Sequence, residues 1–222
     1  MHDGANLQAS ASKLLKKDTF GVVLRINRGA RPSILRDASE ARGVAAPLAR
    51  FLLQREARAL AALQGISGVP ALLDRTDLTL EREYIAGEPM HVARPRDPEY
   101  FRRAMRLLRS LHRHGVAHND LAKEPNLLVT NSGAPALIDF QLASHRPKRG
   151  KLFRLMARED LRHLLKHKRT YCPENLTRRE KALLARRGPL SAAWRATGKP
   201  VYLFVTRKIL GWSDREGAGD RS

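Results

Sequence analysis

The order of apolar and polar positions predicts strands and one helix in the first part of the chain. Residues 18–27 alternate between apolar and polar side chains, as a half-buried strand does, and residues 31–37 predict the next strand after a glycine-containing turn. Residues 47–64 repeat Leu and Ala at helical spacing. Residues 71–90 predict two strands, followed by a break at 87–89. This part is therefore expected to form a small antiparallel sheet with one helix.

The remainder of the chain predicts two amphipathic helices with a hairpin between them. Apolar residues recur at helical spacing over 98–114, with arginines on the other side, and Gly115 is placed to end this helix. Residues 135–138 predict a short apolar strand after a polar turn at 131–133. Residues 152–169 predict the second helix. Strands first and helices afterwards indicate an α+β fold.

Residues 118–140, HNDLAKEPNLLVTNSGAPALIDF, contain the candidate chemistry of the chain. Asp120 lies in a polar loop, Asn126 follows six positions later, and Asp139 ends the apolar strand. Phosphoryl transfer from ATP requires an aligned acceptor hydroxyl and neutralised phosphates, and magnesium prefers carboxylate, amide and water oxygens. We therefore predict that Asp120 orients the acceptor and that Asp139 and Asn126 hold Mg²⁺. The alternative is that these side chains only cap surface turns.

This segment resembles the catalytic loop HxDxxxxN and the following DFG motif of the protein-kinase-like superfamily. His118 and Asp120 match the first motif, and the IDF that contains Asp139 matches the second. The interval from Asp120 to Asn126 is one residue longer than the family pattern, which leaves Glu124 as a fallback ligand. The resemblance implies ATP and Mg²⁺ as cofactors and an alcohol group as the phosphate acceptor.

A second departure from the family pattern is Gln141, which stands where the family has Gly. Replacing Gly by Gln removes easy access to positive φ angles. A magnesium loop that flips between two conformations is therefore less expected here than a loop that is always formed.

The resemblance extends upstream to the predicted sheet and its helix. It implies that Arg36 takes the place of the phosphate-holding Lys and that Glu56 pairs with it, since Arg also binds phosphate, as a planar fork. It implies that backbone groups from Glu83 to Ile85 read adenine. The chain has no GxGxxG, and Gly21 is the only glycine near the expected phosphate-covering turn.

Each of these upstream residues is also compatible with an ordinary structural role. Arg36 is equally well placed as an exposed strand arginine, because strand faces often carry Arg. Glu56 has Arg55 and Arg58 as alternative partners on its own helix, where ion pairs are weak. Tyr84 fits a core residue with its hydroxyl at the surface equally well. The sequence leaves both roles open for all three.

Together these features predict one domain over residues 1–222 with a bilobal protein-kinase-like fold. The small antiparallel β-sheet N-lobe is expected at about 13–89 and the reduced, mostly helical C-lobe at about 90–212, with loose ends at 1–12 and 213–222. Among kinase-like families, the chain resembles small bacterial lipopolysaccharide kinases of the Kdo kinase type and RIO-like kinases.

Charge is the second strong property of the sequence. The formal net charge is +20, and residues 142–222 contain 21 Lys and Arg against 7 Asp and Glu. Such a bias attracts polyanions. An anionic membrane surface, a lipopolysaccharide core or RNA is therefore expected as a partner.

The remaining composition limits the location and the metal chemistry. Cys172 is the only cysteine, so no intramolecular disulfide is possible and no disulfide-linked partner is expected. His163 and His167 are spaced for metal binding on a helix, but a basic surface is favoured because no carboxylate or Cys partner is evident.

No run of ~18 apolar residues or secretory signal is present, which predicts a cytoplasmic protein, with peripheral attachment at the inner membrane face left open. The apolar run at 200–212 predicts a last core helix or, alternatively, a helix at a membrane interface.

Three functions are compatible with these observations. The first is an ATP- and magnesium-dependent kinase that acts on a hydroxyl of a protein Ser or Thr or of a lipopolysaccharide-type sugar. The second is a pseudokinase scaffold that binds nucleotide without turnover, which the missing glycine-rich lid, Arg36 and Gln141 suggest. The third is a basic RNA-associated or ribosome-associated factor of the RIO-like type.

Overall fold

The computed structural model describes residues 11–28 and 31–185, which form a mixed α+β structure. Its main sheet is antiparallel and has the strand order β1-β2-β3-β5-β4. The five strands are β1 (Ala11–Asp18), β2 (Gly21–Arg28), β3 (Arg31–Asp37), β4 (Leu72–Arg75) and β5 (Thr79–Glu83). The part of the chain that the structure describes also contains five α-helices.

The first strand, β1, is a feature that the sequence pattern did not predict. Residues 1–12 were expected to be loose and a strand was expected from residue 18, but β1 begins at Ala11 and pairs with β2 along its length. The strand lies at the edge of the sheet and exposes Leu14 and Leu15 as well as its lysines. An edge strand that is solvated on both faces has no alternating pattern, and lysines protect such an edge from unwanted pairing.

The turn between β1 and β2 depends on Gly21. This residue has a φ angle of +121°, and a Cβ atom at this position would lie 2.0 Å from the carbonyl oxygen of Asp37. The absence of a side chain lets β2 start directly beside the end of β3. Asp18 tightens the same turn, because its Oδ1 accepts a hydrogen bond from Phe20 N at 2.8 Å.

The first helix, α1 (Ala45–Ala62), begins two residues before the predicted position and packs against the sheet. Its Leu and Ala side chains face the core, where Leu53, Ala57 and Leu60 are almost completely buried. These residue types give both strong helix propensity and an apolar face. The buried face also contains Glu56, which no apolar pattern predicts.

A smaller sheet follows, and it corrects the expected break at 87–89. These residues form β6 (Gly87–Pro89), which pairs with β8 (Leu127–Thr130), and β8 pairs in turn with β9 (Pro135–Leu137). A Cβ atom on Gly87 would lie 2.8 Å from the Val129 carbonyl oxygen. The glycine that suggested a break therefore allows close strand pairing. The short helix α2 (Met90–Ala93) follows β6 directly.

The long helices agree with the amphipathic pattern. Helix α3 (Pro98–Arg113) begins where Asp97 accepts a hydrogen bond from Glu99 N at 2.8 Å, and Gly115 follows it with a φ angle of 72°. Helix α4 (Lys151–Tyr171) packs against α3, and α5 (Arg178–Ala185) packs against α4. Two short strands, β7 (Val116–Ala117) and β10 (Ser144–His145), join the chain before α4 to the end of α3.

One hydrophobic cluster connects the main sheet with the helices that follow. It includes Leu60 of α1, Leu80 of β5, Leu111 of α3 and Phe140, all of which are fully buried. Cys172 belongs to the same cluster, where its thiol lies 3.2 Å from Arg96 O. This agrees with a structural cysteine.

Several predictions fall on residues that the structure does not describe. The loose N-terminal end is described only from residue 11, and the apolar run at 200–212 and the end at 213–222 lie wholly outside the described residues. Within residues 11–28 and 31–185, none of the helices combines the length and the apolar content needed to cross a bilayer.

The close approach at Gly21 predicts a large effect of a small substitution. We expect Gly21→Ala to lower the free energy of unfolding by about 2–5 kcal/mol, because it adds backbone strain and a clash with the Asp37 carbonyl. Gly43→Ala is the matched control, since Gly43 also has a positive φ angle but open space around it; it is expected to cost about 1 kcal/mol. Urea denaturation of both variants measures the difference, and equal losses would contradict a special role for the close approach.

Candidate functional site

The loop from His118 to Asn126 brings two predicted site residues into contact. Asn126 Nδ2 donates to the backbone oxygen of Asp120 at 2.9 Å and to its Oδ2 at 3.0 Å. Two turns absorb the additional residue of this loop: Lys123 N donates to Asp120 O at 3.4 Å, and Asn126 N donates to Lys123 O at 3.2 Å. The longer interval therefore does not separate the two side chains.

The Asp120 carboxylate contacts one cationic side chain and one amide side chain. Lys123 Nζ lies 2.9 Å from Asp120 Oδ2, so a cation accompanies the carboxylate. Asn126 uses its amide nitrogen toward Asp120. Its amide oxygen is the atom with which an asparagine binds a hard cation.

His118 joins this loop to the segment that contains Asp139. Its Nε2 donates to Ile138 O at 3.0 Å, and its ring lies 4.7 Å from the ring of Phe140. Asp139 follows with a φ angle of 62°, in the left-handed region. Both His118 and Phe140 are fully buried, so they hold the backbone on either side of Asp139.

A carboxylate from α4, Asp160, holds the backbone of the same loop. Its Oδ2 accepts from His118 N and its Oδ1 accepts from Asn119 N, both at 2.8 Å, and His112 Nε2 lies 3.1 Å from Oδ2. Sequence reasoning missed this residue. The available signal was its position on the apolar side of the helix, four residues before Leu164.

A second group of charged residues surrounds Glu56 of α1. Arg36 Nε lies 3.3 Å from Glu56 Oε2, and Arg82 Nε lies 3.3 Å from Oε1. Arg36 also reaches Asp139, with 3.7 Å between Nη2 and Oδ1. The contact between Arg36 and Glu56 that the sequence predicts is therefore present. Arg82 was missed, although its spacing of two from the buried Leu80 placed it on the inner face of β5.

We call Arg36, Glu56, Arg82 and Asp139 the charge cluster. It contains two positive and two negative side chains, and Glu56 is completely buried. Burial lowers the pKa of Arg82, while the neighbouring Glu56 carboxylate raises it. Opposite charges thus offset the cost of placing ionised groups where solvent does not reach.

The neighbours of Glu56 on α1 bind elsewhere. Arg55 donates from Nη2 to Leu142 O at 2.6 Å and from Nε to Ala143 O at 3.1 Å, and Arg58 donates to Gln54. Burial, followed by the positive charge of Arg146, lowers the pKa of Arg55. The alternative pairing of Glu56 along its own helix is therefore not the one observed.

The backbone after Asp139 is held from two sides. Leu142 O, which Arg55 contacts, also accepts from Asn119 Nδ2 at 2.9 Å, and Ser144 Oγ accepts from the same nitrogen at 2.9 Å. Gln141 lies inside a single 3₁₀ turn, Phe140–Leu142, so the missing glycine leaves no strain at this position. The positive φ angle of this segment is at Asp139 instead.

A cavity of about 190 Å³ lies under the turn between β1 and β2. Gly21, Arg36 and Asp139 line it, together with Phe20 and Gln141. Asp139 Oδ1 is buried and has no hydrogen-bond partner among the described residues. A carboxylate oxygen that accepts no hydrogen bond, at the wall of a cavity and 3.7 Å from Arg36 Nη2, suits an additional bound cation.

The predicted adenine-reading residues lie elsewhere. Glu83 and Ile85 line a separate cavity of about 480 Å³, so the structure does not bring them into the cavity of Arg36. Glu83 N donates to Ala71 O at 2.8 Å, and Tyr84 N donates to Pro32 O at 3.1 Å. These two amides are therefore used within the fold.

The described residues provide few candidate metal ligands at this site. Within the described part of the chain, no group of three or more His, Cys, Asp and Glu side chains is placed to hold a metal. Asp139 and Asn126 carry oxygen atoms of the kind that magnesium binds, and this ion usually takes its other ligands from phosphate and water. The fallback ligand Glu124 is engaged, because its Oε2 accepts from Tyr171 OH at 2.7 Å.

The two histidines of α4 do not form the basic surface that their sequence context favoured. His167 is buried, and its Nε2 donates to Leu121 O at 2.7 Å, which ties α4 to the loop of Asp120. Burial lowers the pKa of His163 to about 4, so this side chain is neutral at pH 7. The contact with Leu121 gives His167 a structural role.

No protein-family model matches this chain, and no curated protein matches its sequence. Geometry and chemistry of the described residues are therefore the basis for the functional conclusion.

The charge cluster predicts a strong dependence of stability on Glu56. We expect Glu56→Ala to lower the free energy of unfolding by about 3–5 kcal/mol, because it leaves Arg82 buried without its carboxylate and Arg36 with only the longer contact to Asp139. Glu99→Ala is the matched control: Glu99 contacts three arginines, but these are exposed, and exposed ion pairs contribute little. Chemical denaturation of the two variants compares them. A loss at Glu99 as large as that at Glu56 would contradict the stabilising role of the cluster.

Proposed function

We propose that this protein is an ATP- and magnesium-dependent phosphotransferase with the bilobal architecture of the protein-kinase-like superfamily. The observation that carries the proposal is the series of contacts Glu56–Arg36–Asp139, which joins α1, β3 and the segment after β9 at one cavity. Three elements far apart in the sequence thus supply a cation for phosphate and a carboxylate for metal at the same place.

The phosphate-binding role belongs to Arg36. Its guanidinium carries several N–H donors in a plane, which suits the oxygen atoms of a nucleotide phosphate. Glu56 fixes the orientation of this side chain from behind, and Arg82 balances the charge of Glu56. The cavity under the β1–β2 turn then receives the phosphates.

The metal role belongs to Asp139 and Asn126. Bound magnesium neutralises phosphate charge and holds the transferring group in line with its acceptor. Asp139 Oδ1, which is buried and accepts no hydrogen bond among the described residues, and the amide oxygen of Asn126 are the protein ligands proposed for this role. The contacts of Arg55 and Asn119 with Leu142 O keep the backbone after Asp139 in place.

Asp120 orients the acceptor and takes its proton. The acceptor oxygen forms a new bond to the terminal phosphorus, the bond from this phosphorus to the leaving oxygen breaks, and ADP departs. Lys123 Nζ, 2.9 Å from Asp120 Oδ2, places a positive charge beside the transferring group. The acceptor class is a hydroxyl, either of a protein Ser or Thr or of a sugar of the lipopolysaccharide type.

A second candidate function, a scaffold that binds without turnover, is favoured by the cavities. The cavity at Arg36 is about 190 Å³, whereas ligand pockets usually measure about 300–1,000 Å³. Glu83 and Ile85 also line a different cavity. Both functions require the cavity to open for the nucleotide, but only turnover also requires the bound nucleotide to be aligned with Asp120 and an acceptor.

Phosphate transfer from labelled ATP tests the proposal. With Mg²⁺ present, we expect wild-type protein to label itself or an added hydroxyl acceptor, and Asp120→Asn to slow the transfer by about 100-fold or more because the proton acceptor is lost. Asp139→Ala is expected to remove the response to Mg²⁺. Asp74→Ala, which removes an exposed carboxylate from β4, is the matched control and is expected to retain the rate.

The outcomes separate the two candidate functions. Transfer at the wild-type rate in Asp120→Asn contradicts the assigned role of Asp120. A thermal shift of the wild type with ATP and Mg²⁺, combined with no transfer to protein or lipopolysaccharide fractions, favours the scaffold. A result with no ATP binding and no phosphate transfer would contradict both functions.

A further inference from the structure

A basic concavity lies on the helical part of the molecule, apart from the charge cluster. Its volume is about 570 Å³, and it lies between the end of α3, the segment 146–150 and the first turn of α4. Five cationic side chains line it: Arg109, Arg113, Lys148, Arg149 and Arg154. All five are exposed to solvent, so their charged ends are accessible to a ligand.

The carboxylates of the adjoining helices are engaged with other groups. Glu99 of α3 contacts three arginines at the other end of that helix, and Glu159 of α4 contacts Arg162. Asp160 binds His112 and backbone amides. In the described part of the chain, the cations of the concavity form no ion pair with a carboxylate. Their positive charges repel one another unless an anion balances them.

The start of α4 lies beside this concavity. No side chain caps this helix at Gly150, and its first turn contains no acidic residue. The backbone N–H groups at the start of a helix attract anions. Arg149 and Arg154, which line the concavity, lie on either side of this helix start.

The side chains that line the concavity limit what it binds. Phe153 forms part of the wall, but it is buried and its ring meets His112 edge to face, with 6.1 Å between the centroids. Among the described residues of this wall, no other side chain is aromatic apart from His112. Binding of single-stranded nucleic acid usually uses exposed rings on which bases stack. The donors therefore suit phosphate groups, and their grouping in one concavity suits a compact ligand.

We propose that this concavity binds a compact anion with two or more phosphate groups. Arginine side chains bind phosphate oxygens in pairs through their planar forks, and five cations at one place exceed the need of a single phosphate. The phosphates belong either to a free small molecule or to a lipid headgroup. The proposal is independent of the phosphotransferase activity, because none of its residues belongs to the charge cluster or to the loop of Asp120.

The rear of the concavity is connected to that loop. His112 lines the wall, and its Nε2 lies 3.1 Å from Asp160 Oδ2, which accepts from His118 N at 2.8 Å. An anion bound beside His112 is thus two hydrogen bonds from the backbone of the loop that contains Asp120. The Asp160 carboxylate therefore contacts both the wall of the concavity and the backbone of this loop.

Calorimetric titration with tripolyphosphate at low salt tests the site. We expect wild-type protein to bind it, and the double variant Arg109→Ala/Arg154→Ala to bind at least about tenfold more weakly, because charge-assisted hydrogen bonds are lost. Arg102→Ala/Arg103→Ala is the matched control. It removes the same charge from α3 outside the concavity and is expected to leave the affinity within about twofold, since distant exposed charges act weakly.

Vesicles and RNA distinguish the sources of the phosphate. If the ligand is a lipid headgroup, phosphatidylcholine vesicles that contain phosphatidylinositol bisphosphate are expected to bind in competition with tripolyphosphate. Binding of tripolyphosphate but not of these vesicles indicates a free ligand. Both outcomes support the site. An RNA oligonucleotide that binds while tripolyphosphate does not would overturn the proposal in favour of a nucleic-acid surface. Equal losses in the two double variants, or no binding of any of these probes, would also overturn it.

Discussion

Glu56 carries its charge where solvent does not reach, and two arginines from adjacent strands make this possible. Arg36 on β3 and Arg82 on β5 approach its two oxygens from the sheet, and Arg36 extends the contacts to Asp139. A buried carboxylate without these partners would be strongly destabilising. The sheet, α1 and the segment after β9 must therefore be in their places together. Packing of the common hydrophobic core brings the elements close, and the charge cluster selects the arrangement in which the phosphate-binding cation and the metal-binding carboxylate proposed here meet.

Local signals in the sequence predicted the elements that depend on local interactions. Helix α3 was predicted within one residue of its end, because its apolar residues recur at helical spacing and Gly115 follows it. The strand β1 was missed because an exposed edge strand has no buried face to pattern. The predicted break at 87–89 was wrong. A glycine in the sequence indicates a turn, but Gly87 instead permits close pairing of β6 with β8.

The site residues also fall into two groups: those that one local segment identifies, and those whose partners only the fold brings near. Asp120, Asn126 and Asp139 could be selected from one segment, since their chemistry and order are visible there. Arg82 and Asp160 could not, because the function of each depends on a partner that only the fold brings near. Asp160 binds the amide of His118 across 42 positions of sequence. The available signal for Asp160 was its spacing of four residues from Leu164, and Glu56 was identified only through a family resemblance.

The carbonyl oxygen of Leu142 accepts hydrogen bonds from both Arg55 of α1 and Asn119 of the loop before Asp120. One acceptor thus serves two parts of the site that are separate in the sequence. An outward movement of α1 and a rearrangement around Asp120 cannot occur as independent events, because each displaces the backbone to which the other is bound. Under the proposed function, the protein would have a single conformational transition between an assembled and a disassembled site, and a molecule that wedges between α1 and residues 142–144 would inactivate it as a whole.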